Sequence, residues 1–523
     1  MEALSIIRRP DMEIKKSKLS YAFLNIISSA IFQAVTFIAG IFVTRYILLF
    51  YGSEINGISS TINQIINYTA VLEAGLGLVS IQALYTPLAL QDYTKINGIC
   101  SAAKKYFSRI GLYYCIIISI VSIVYPLVAK GETNKITIFL LVLIISLTNF
   151  FEYFFHAKYR VLLTADQKLY IITFTKAVGM LISTIIKLVL ILLHVNIIFV
   201  FGISSIILVL RILYVRWYVY KNYSHLDYFS TPDTAAHNQR SAVLIHQISG
   251  LVINNSGGIL LSATVKDGLK VASVYAVYNL VYMSLYNLIS SAFSGGIVAS
   301  FGQLFGVEKK TSVVQKYYKY EIMYFMIISV VFGITAVMIL PFIKLYTKNV
   351  TDIQYSSITL AVLFTCTQLL NSTRVPFSMI IDAIGHYKKT QYRALLETII
   401  NFTITLVLIS KYNIIAILIG ALCSYSYRTL DMIIYANKHI LSTSPLRSFL
   451  HVLKCWLSVG LTVLFMKTFF ILDVNSWMSW IVWSIISGIS AIIIALSIFV
   501  PFEYKMVKDV IFNSLLRRKV KFM

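Results

Sequence analysis

An all-α polytopic membrane fold is predicted by three features of this chain: repeated apolar runs of bilayer-spanning length, a shortage of charge, and basic residues gathered in alternate gaps between the runs. Hydrophobic residues make up 58% of the 523 residues and charged residues 13%, with a mean hydropathy of +0.79. A soluble domain carries roughly 25% charged residues. A membrane-crossing helix needs ~20 mostly apolar residues. Fourteen stretches are read as such spans: 20–47, 56–84, 106–129, 137–157, 169–193, 197–217, 243–264, 271–301, 320–343, 354–383, 392–410, 414–436, 449–472 and 478–502. Lipid admits only helices or closed barrels, because no water is there to satisfy backbone groups. The alternating pattern of barrel strands is absent.

Taken in chain order, the segment ahead of the first run is basic (Arg8, Arg9, Lys15, Lys16, Lys18). The run that follows is too long for a cleaved signal peptide and no small-residue cleavage site follows it, so it is read as an uncleaved first span. With the N-terminus inside, the second span leads to Lys95, Lys104, Lys105 and Arg109, and the fourth to Lys158, Arg160 and Lys168. The sixth leads to Arg216, Lys221 and Arg240, and the eighth to Lys309, Lys310, Lys316 and Lys319. The tenth leads to Lys388, Lys389 and Arg393, the twelfth to Lys438, Arg447 and Lys454, and the last to Lys505, Lys508, Arg517, Arg518, Lys519 and Lys521. The outer gaps hold only Lys130, Lys135, Lys266, Lys270, Lys344, Lys348 and Lys411, a split of 31 to 7 with the other 7 of 45 inside spans. That split obeys the positive-inside rule and predicts a multi-pass protein of the cell membrane with both termini cytoplasmic.

The net charge of +24 then expresses topology and attraction to anionic inner-leaflet lipid, and no nucleic-acid partner is expected. The five cysteines, Cys100, Cys115, Cys366, Cys423 and Cys455, show neither metal spacing nor a disulfide framework. No GxxxxGK phosphate loop, metal cluster or nucleophile–base pair is visible. The expectation is a non-enzyme without metal or cofactor.

Two halves resemble each other at an offset of about 217 residues: Asn196-Ile197-Ile198 with Asn413-Ile414-Ile415, Arg211 with Arg428, Lys221 with Lys438, and Ala165 with Ala383. An offset of six spans relates halves of like orientation, the parallel-repeat arrangement of some transporters. The expected organisation is an N-lobe of six spans (1–220), a cytoplasmic linker (221–241), a C-lobe of six spans (242–440), and two further spans with a basic tail (441–523). Two such lobes suit alternating access about a shared site.

Ionisable residues inside spans are costly and face a cavity or a partner. Lys176, Met180, Ser183 and Lys187 share one stripe of the fifth span, because intervals of 7 and 11 return to one helix face. Asn371, Arg374, Ser378 and Asp382 run at 3-4-4 spacing, and Glu397, Asn401 and Thr405 at 4-4. Arg428 and Asp431 are one turn apart and equally fit a structural pair. Lys187, Arg45 and Lys467 lie near enough to span ends to snorkel. A wet hollow lined by Lys176, Arg374, Arg428 and Arg211, with Arg45 and Lys187 as further cations, would favour a phosphate or diphosphate. Asp382, Glu397, Glu73 and Asp431 are the candidate pairing or coupling acids, with H+ or Na+ as the candidate ion. Amide and tyrosine stripes (Asn56, Ser60, Asn63, Asn67; Gln247, Gly250, Asn254; Tyr275, Asn279, Tyr282, Tyr286) fit either helix packing or a hydrated seam suited to sugars.

Several local sequences carry a resemblance: Thr44-Arg45-Tyr46, Gly52-Ser53-Glu54 with Gly57, Leu72-Glu73-Ala74-Gly75-Leu76-Gly77, Leu84-Tyr85-Thr86-Pro87-Leu88, Asp92 with Lys95-Ile96, Lys104-Lys105-Tyr106, Ala383 through Gln391, and Tyr427-Arg428. Together they resemble the oligosaccharide-lipid flippases of bacterial polysaccharide synthesis, in the superfamily that also holds multidrug exporters. The resemblance implies transfer of undecaprenyl-diphosphate-linked repeat units from inner to outer leaflet for capsule or a related polymer, alongside a polymerase and other assembly proteins, with membrane lipids as further partners. Arg45 and Glu73 fall on recurrent positions of that family. A multidrug or small-solute exporter is the alternative. A membrane polymerase or glycosyltransferase fits less well, because no sizeable catalytic loop is present.

Overall fold

The computed structural model describes residues 10–73, 76–223, 225–228, 230–233 and 241–508, and every element there is helical. The helices are α1 Pro10–Tyr68, α2 Leu76–Leu90, α3 Tyr93–Val128, α4 Lys135–Phe151, α5 Ala157–Ala165, α6 Leu169–Leu192, α7 Ile197–Asn222, α8 Ser241–Thr264, α9 Gly268–Val307, α10 Lys310–Tyr346, α11 Ile358–Thr373, α12 Val375–Ile384, α13 Tyr387–Tyr412, α14 Ile414–Tyr435, α15 Leu446–Phe469 and α16 Trp477–Lys508. A 3-10 turn, Thr69–Glu73, follows α1, and π turns occupy Glu152–His156 and Ala436–Leu441. Arg8, Arg9, Ala74, Gly75, residues 224, 229 and 234–240 of the expected linker (Arg240 among them) and the basic tail from 509 onward lie outside the described residues.

Ten helical segments among the described residues are long and apolar enough to cross a membrane. Fewer emerge than the fourteen predicted runs for physical reasons. The first two runs lie on one continuous segment through α1. The stretch 354–383 is cut at Arg374 into α11 and α12, of 16 and 10 residues. The runs on α8 and α9 carry the amide and tyrosine stripes. A lipid-facing surface is nonetheless explicit on α3, where Leu112, Ile116, Ile120, Ile123 and Leu127 line one helical stripe and are each more than half exposed.

Local chemistry explains the breaks. Gly52 has φ 81° and ψ 176° and kinks α1 at the predicted boundary between the first two runs; a side chain there would be strained. Glu54, two residues on, accepts from the backbone N–H groups of Glu132 (2.9 Å) and Thr133 (2.8 Å) and from the Thr133 hydroxyl (2.6 Å), fixing the α3–α4 turn. At Arg374 the cause is Pro376, which has no N–H for the Ser372 carbonyl four residues earlier. The Tyr324 hydroxyl of α10 donates to that carbonyl instead, at 2.6 Å. The α5–α6 turn is tied to the end of α7 by Tyr223, which donates to Asp166 (2.5 Å) while Lys168 pairs with the same carboxylate (2.7 Å). Burial raises the Tyr223 pKa, which keeps the phenol protonated as the donor.

The chain divides into two compact units, Met1–Gln247 and Ile248–Met523. In the first, α6 packs on α1 and α7, and α4 on α7 and α3. In the second, α13 and α11 pack on α14, α9 on α11 and α12, and α10 on α15 and α16. The helices that carry the repeat-related Arg211 and Arg428, α7 and α14, therefore meet corresponding partners within their own units. Two tyrosines of α9 serve helix packing. Tyr278 and Tyr282 stack on Phe364 of α11 (5.1 and 5.8 Å between ring centroids), and Tyr282 shares a 2.5 Å hydrogen bond with Thr365.

Contact between α13 and α14 depends on Gly420. A Cβ there would lie 2.8 Å from the Asn401 carbonyl oxygen and 2.3 Å from Thr405 Oγ1. Backbone cannot yield as a side-chain tip can, so Gly420→Val is expected to cost about 1–3 kcal/mol by overpacking. Gly460→Ala, with nothing within 4 Å of the added atom, is the control. Thermal unfolding of the purified protein should show a lower midpoint for the first variant only.

Candidate functional site

In the first unit the cluster is organised by Glu152, on the π turn between α4 and α5. One carboxylate oxygen lies 2.9 Å from His156 Nδ1 and 3.4 Å from Lys176 Nζ of α6, and the other accepts from Arg211 Nη2 of α7 at 2.7 Å. The π turn has a sequence consequence. It inserts an offset into the helical register, so Glu152 and His156 both reach the interface where α6 and α7 meet α4. Glu152 and Arg211 are about a tenth exposed and Lys176 about a quarter. Nearby, Glu73 pairs with Arg160 of α5.

In the second unit Glu397 of α13 takes the corresponding role. It accepts from Arg374 Nη1 at the α11–α12 break and lies 3.5 Å from Arg428 Nε of α14. Arg374 also donates to the Asn371 side chain and lies 4.2 Å over the Tyr425 ring. Arg428, 2% exposed at its side chain, donates to Asp431 at 2.8 Å, and Arg393 donates to the other Asp431 oxygen at 2.5 Å. Asn401 and Thr405, the rest of the predicted α13 stripe, are buried against α14, where Asn401 reaches Ser424 at 3.4 Å.

The structure thus brings together Lys176 with Arg211, and Arg374 with Arg428, each pair on a shared carboxylate. Asp431 joins the second cluster, and Glu73 its own pair. Lys187 does not join: it sits over the Phe201 ring at 5.0 Å, eleven residues along α6 from Lys176. Arg45 lies on α1 and Asp382 on α12, both half-buried; Asp382 has the Tyr387 hydroxyl and, beyond ion-pair contact, the Arg428 charge as neighbours. Lys467 is exposed in the last turn of α15. Arg160 of α5 and Arg393 of α13 pair with Glu73 and Asp431, two of the predicted acids. Glu152 and His156 were missed as the first cluster's centre. Their i,i+4 spacing was the available signal.

Counted over the direct ion pairs, charge does not balance in either cluster: Glu152 faces Lys176 and Arg211, and Glu397 with Asp431 faces three arginines, which leaves each one cation in surplus even with His156 neutral. Some donors are also unfilled. Arg211 Nη1 and Arg428 Nε are buried without a hydrogen-bond acceptor among the described residues; the 3.5 Å approach of Arg428 Nε to Glu397 is an ion-pair distance without hydrogen-bond geometry. Buried charged donors are stable only when paired. Among the described residues no group of His, Cys, Asp and Glu could hold a metal ion.

Over 94% of its length the chain superposes on the whole of a lipid II flippase, MurJ, in an inward closed conformation, with a TM-score of 0.66 at 14% identity. A multidrug resistance MATE family transporter of the MOP superfamily, inward-facing, matches 76% of this chain and 93% of its own at a TM-score of 0.54 and 14% identity. The chain shares the fold of these two proteins. No protein-family model and no curated sequence matches it. By description one neighbour is a lipid II flippase and the other a multidrug resistance transporter.

Proposed function

We propose that this protein is a flippase for undecaprenyl-diphosphate-linked oligosaccharide repeat units, moving them from inner to outer leaflet of a bacterial cell membrane for capsule or another surface polysaccharide. The cation surplus with unfilled buried donors at Arg211 and Arg428 carries the reading, because a diphosphate supplies the acceptors those groups lack. Lys176, Arg374, Arg428 and Arg211 are the anion-binding groups. Glu152, Glu397 and Asp431 hold them in register until the head group competes for them. Arg45 and Lys187 are accessory cations, and Asp382 and Glu73 with the cluster acids are the candidates for coupling to H+ or Na+. The chain would cross the membrane fourteen times with both termini cytoplasmic, as two six-span lobes (1–220 and 242–440) joined by 221–241 and followed by two further spans in 441–523, working by alternating access. The whole-length match to a lipid II flippase supports a lipid-borne cargo over the drug-exporter alternative, whose neighbour covers less of the chain.

Reconstitution tests it. Proteoliposomes carrying a fluorescent undecaprenyl-diphosphate oligosaccharide should expose the probe to a membrane-impermeant quencher faster than empty liposomes. A cationic drug in parallel vesicles should not be moved. Drug movement without lipid movement would replace this reading with the exporter.

A further inference from the structure

A cavity of about 460 Å³ lies within the first unit, walled by α3, α5, α7 and the segment after α7. Its lining includes neither Glu152, Lys176 nor Arg211, so it is separate from the cluster described above. Three cations line it, Lys104, Lys158 and Arg216, against one carboxylate, Asp227. Lys104 and Arg216 are the charged neighbours of Lys158. The Lys158 ammonium lies over the rings of Tyr159 (4.9 Å) and Tyr228 (5.1 Å). Tyr228 is 7% exposed, and its hydroxyl is buried with no hydrogen-bond partner among the described residues.

Like charges gathered in a half-dry pocket repel, and an unpaired buried hydroxyl is costly. One ligand chemistry answers both: an anion with several acceptor oxygens. The rest of the lining says how that anion is carried. Phe155 and Leu213 flank the cations and are 42% and 56% exposed, on helical segments long and apolar enough to lie in lipid. A basic pocket continuous with a lipid-facing apolar wall fits a phosphate head group whose chains stay in the bilayer. The three cations all belong to gaps that the positive-inside rule assigns to the cytoplasmic side.

We propose that this pocket binds the phosphate head group of an inner-leaflet lipid, with Lys158 and Arg216 as its main charge contacts, Lys104 as a third, and Tyr228 as a hydroxyl donor. The site does not depend on the transport reading. Two sources share this chemistry: a bulk anionic phospholipid, or a polyprenyl diphosphate on its way to the transporter.

The test is native mass spectrometry of the full-length protein with added dioleoylphosphatidylglycerol, dioleoylphosphatidylcholine or undecaprenyl diphosphate. Phosphatidylglycerol should be retained about fivefold or more over phosphatidylcholine, and K158Q/R216Q should lose roughly tenfold of that retention. K158R, which keeps the charge, should hold it, and Y228F, which keeps the ring under Lys158, should weaken it. Displacement of phosphatidylglycerol by undecaprenyl diphosphate would assign the head group to a lipid diphosphate; persistence would assign it to bulk phospholipid, and either supports the site. Equal retention of the two phospholipids, or unchanged retention in both K158Q/R216Q and Y228F, would overturn it.

Discussion

Glu397→Ala is expected to lower stability by about 3–5 kcal/mol, the cost of leaving buried charges without their partner. Glu397 is 7% exposed and stands between two guanidinium groups, Arg374 and Arg428, that are 16% and 2% exposed. Removing it leaves Arg374 with only the Asn371 side chain, a backbone carbonyl and the Tyr425 ring. Arg428 would keep Asp431 as its one direct ion-pair partner among the described residues, shared with Arg393. Two buried arginines would then face each other with less than one carboxylate apiece. Glu397→Gln should be milder, because its amide oxygen can still accept from Arg374. Lys467→Ala, at an exposed helix end, should change nothing. Thermal unfolding of the purified variants in detergent reads all three, and equal midpoints for Glu397→Ala and Lys467→Ala would show that the cluster contributes no stability.

The second large effect is on transport. Lys176→Gln with Arg374→Gln removes one cation from each cluster but leaves every carboxylate its other partner: Arg211 for Glu152, and Arg428 for Glu397. Both clusters lose their surplus charge while each acid remains paired, so the protein should reach the membrane. A charge-assisted hydrogen bond is worth about 1.5–3 kcal/mol, so the flipping rate of a diphosphate-linked lipid should fall roughly 10- to 100-fold. Abundance on membrane immunoblots and the rate in proteoliposomes are the two readouts. Normal flipping by the double variant would remove Lys176 and Arg374 from the site.

These effects follow from features of unequal legibility. Helical stripes could be read directly from spacing. Glu397, Asn401 and Thr405 at 4-4 intervals do share one buried face of α13, and Gly52 does mark the boundary between the first two apolar runs. Periodicity says which residues share a face, but not which neighbouring helix that face meets. That is why Lys176 and Arg374 could be singled out without showing that each lies against a glutamate. Two registers were also hidden. The π turn at Glu152–His156 breaks the 3.6-residue period at the place where the first cluster forms, and Pro376 splits the stripe from Asn371 to Asp382 at Arg374. The tyrosines of α9 illustrate the reverse ambiguity. A hydroxyl on a helix face suits a sugar or a buried threonine equally, and only the position of Phe364 and Thr365 decides between them.

The central claim is that the surplus cations recognise the diphosphate. The most direct measurement compares, in the same proteoliposomes, the flipping of an oligosaccharide linked to undecaprenol through a diphosphate with that of one carrying the same sugar and chain through an uncharged linkage. The wild-type protein should prefer the diphosphate roughly tenfold or more, and the Lys176→Gln/Arg374→Gln variant should lose most of that preference. Equal rates for the two lipids in the wild type would contradict the claim.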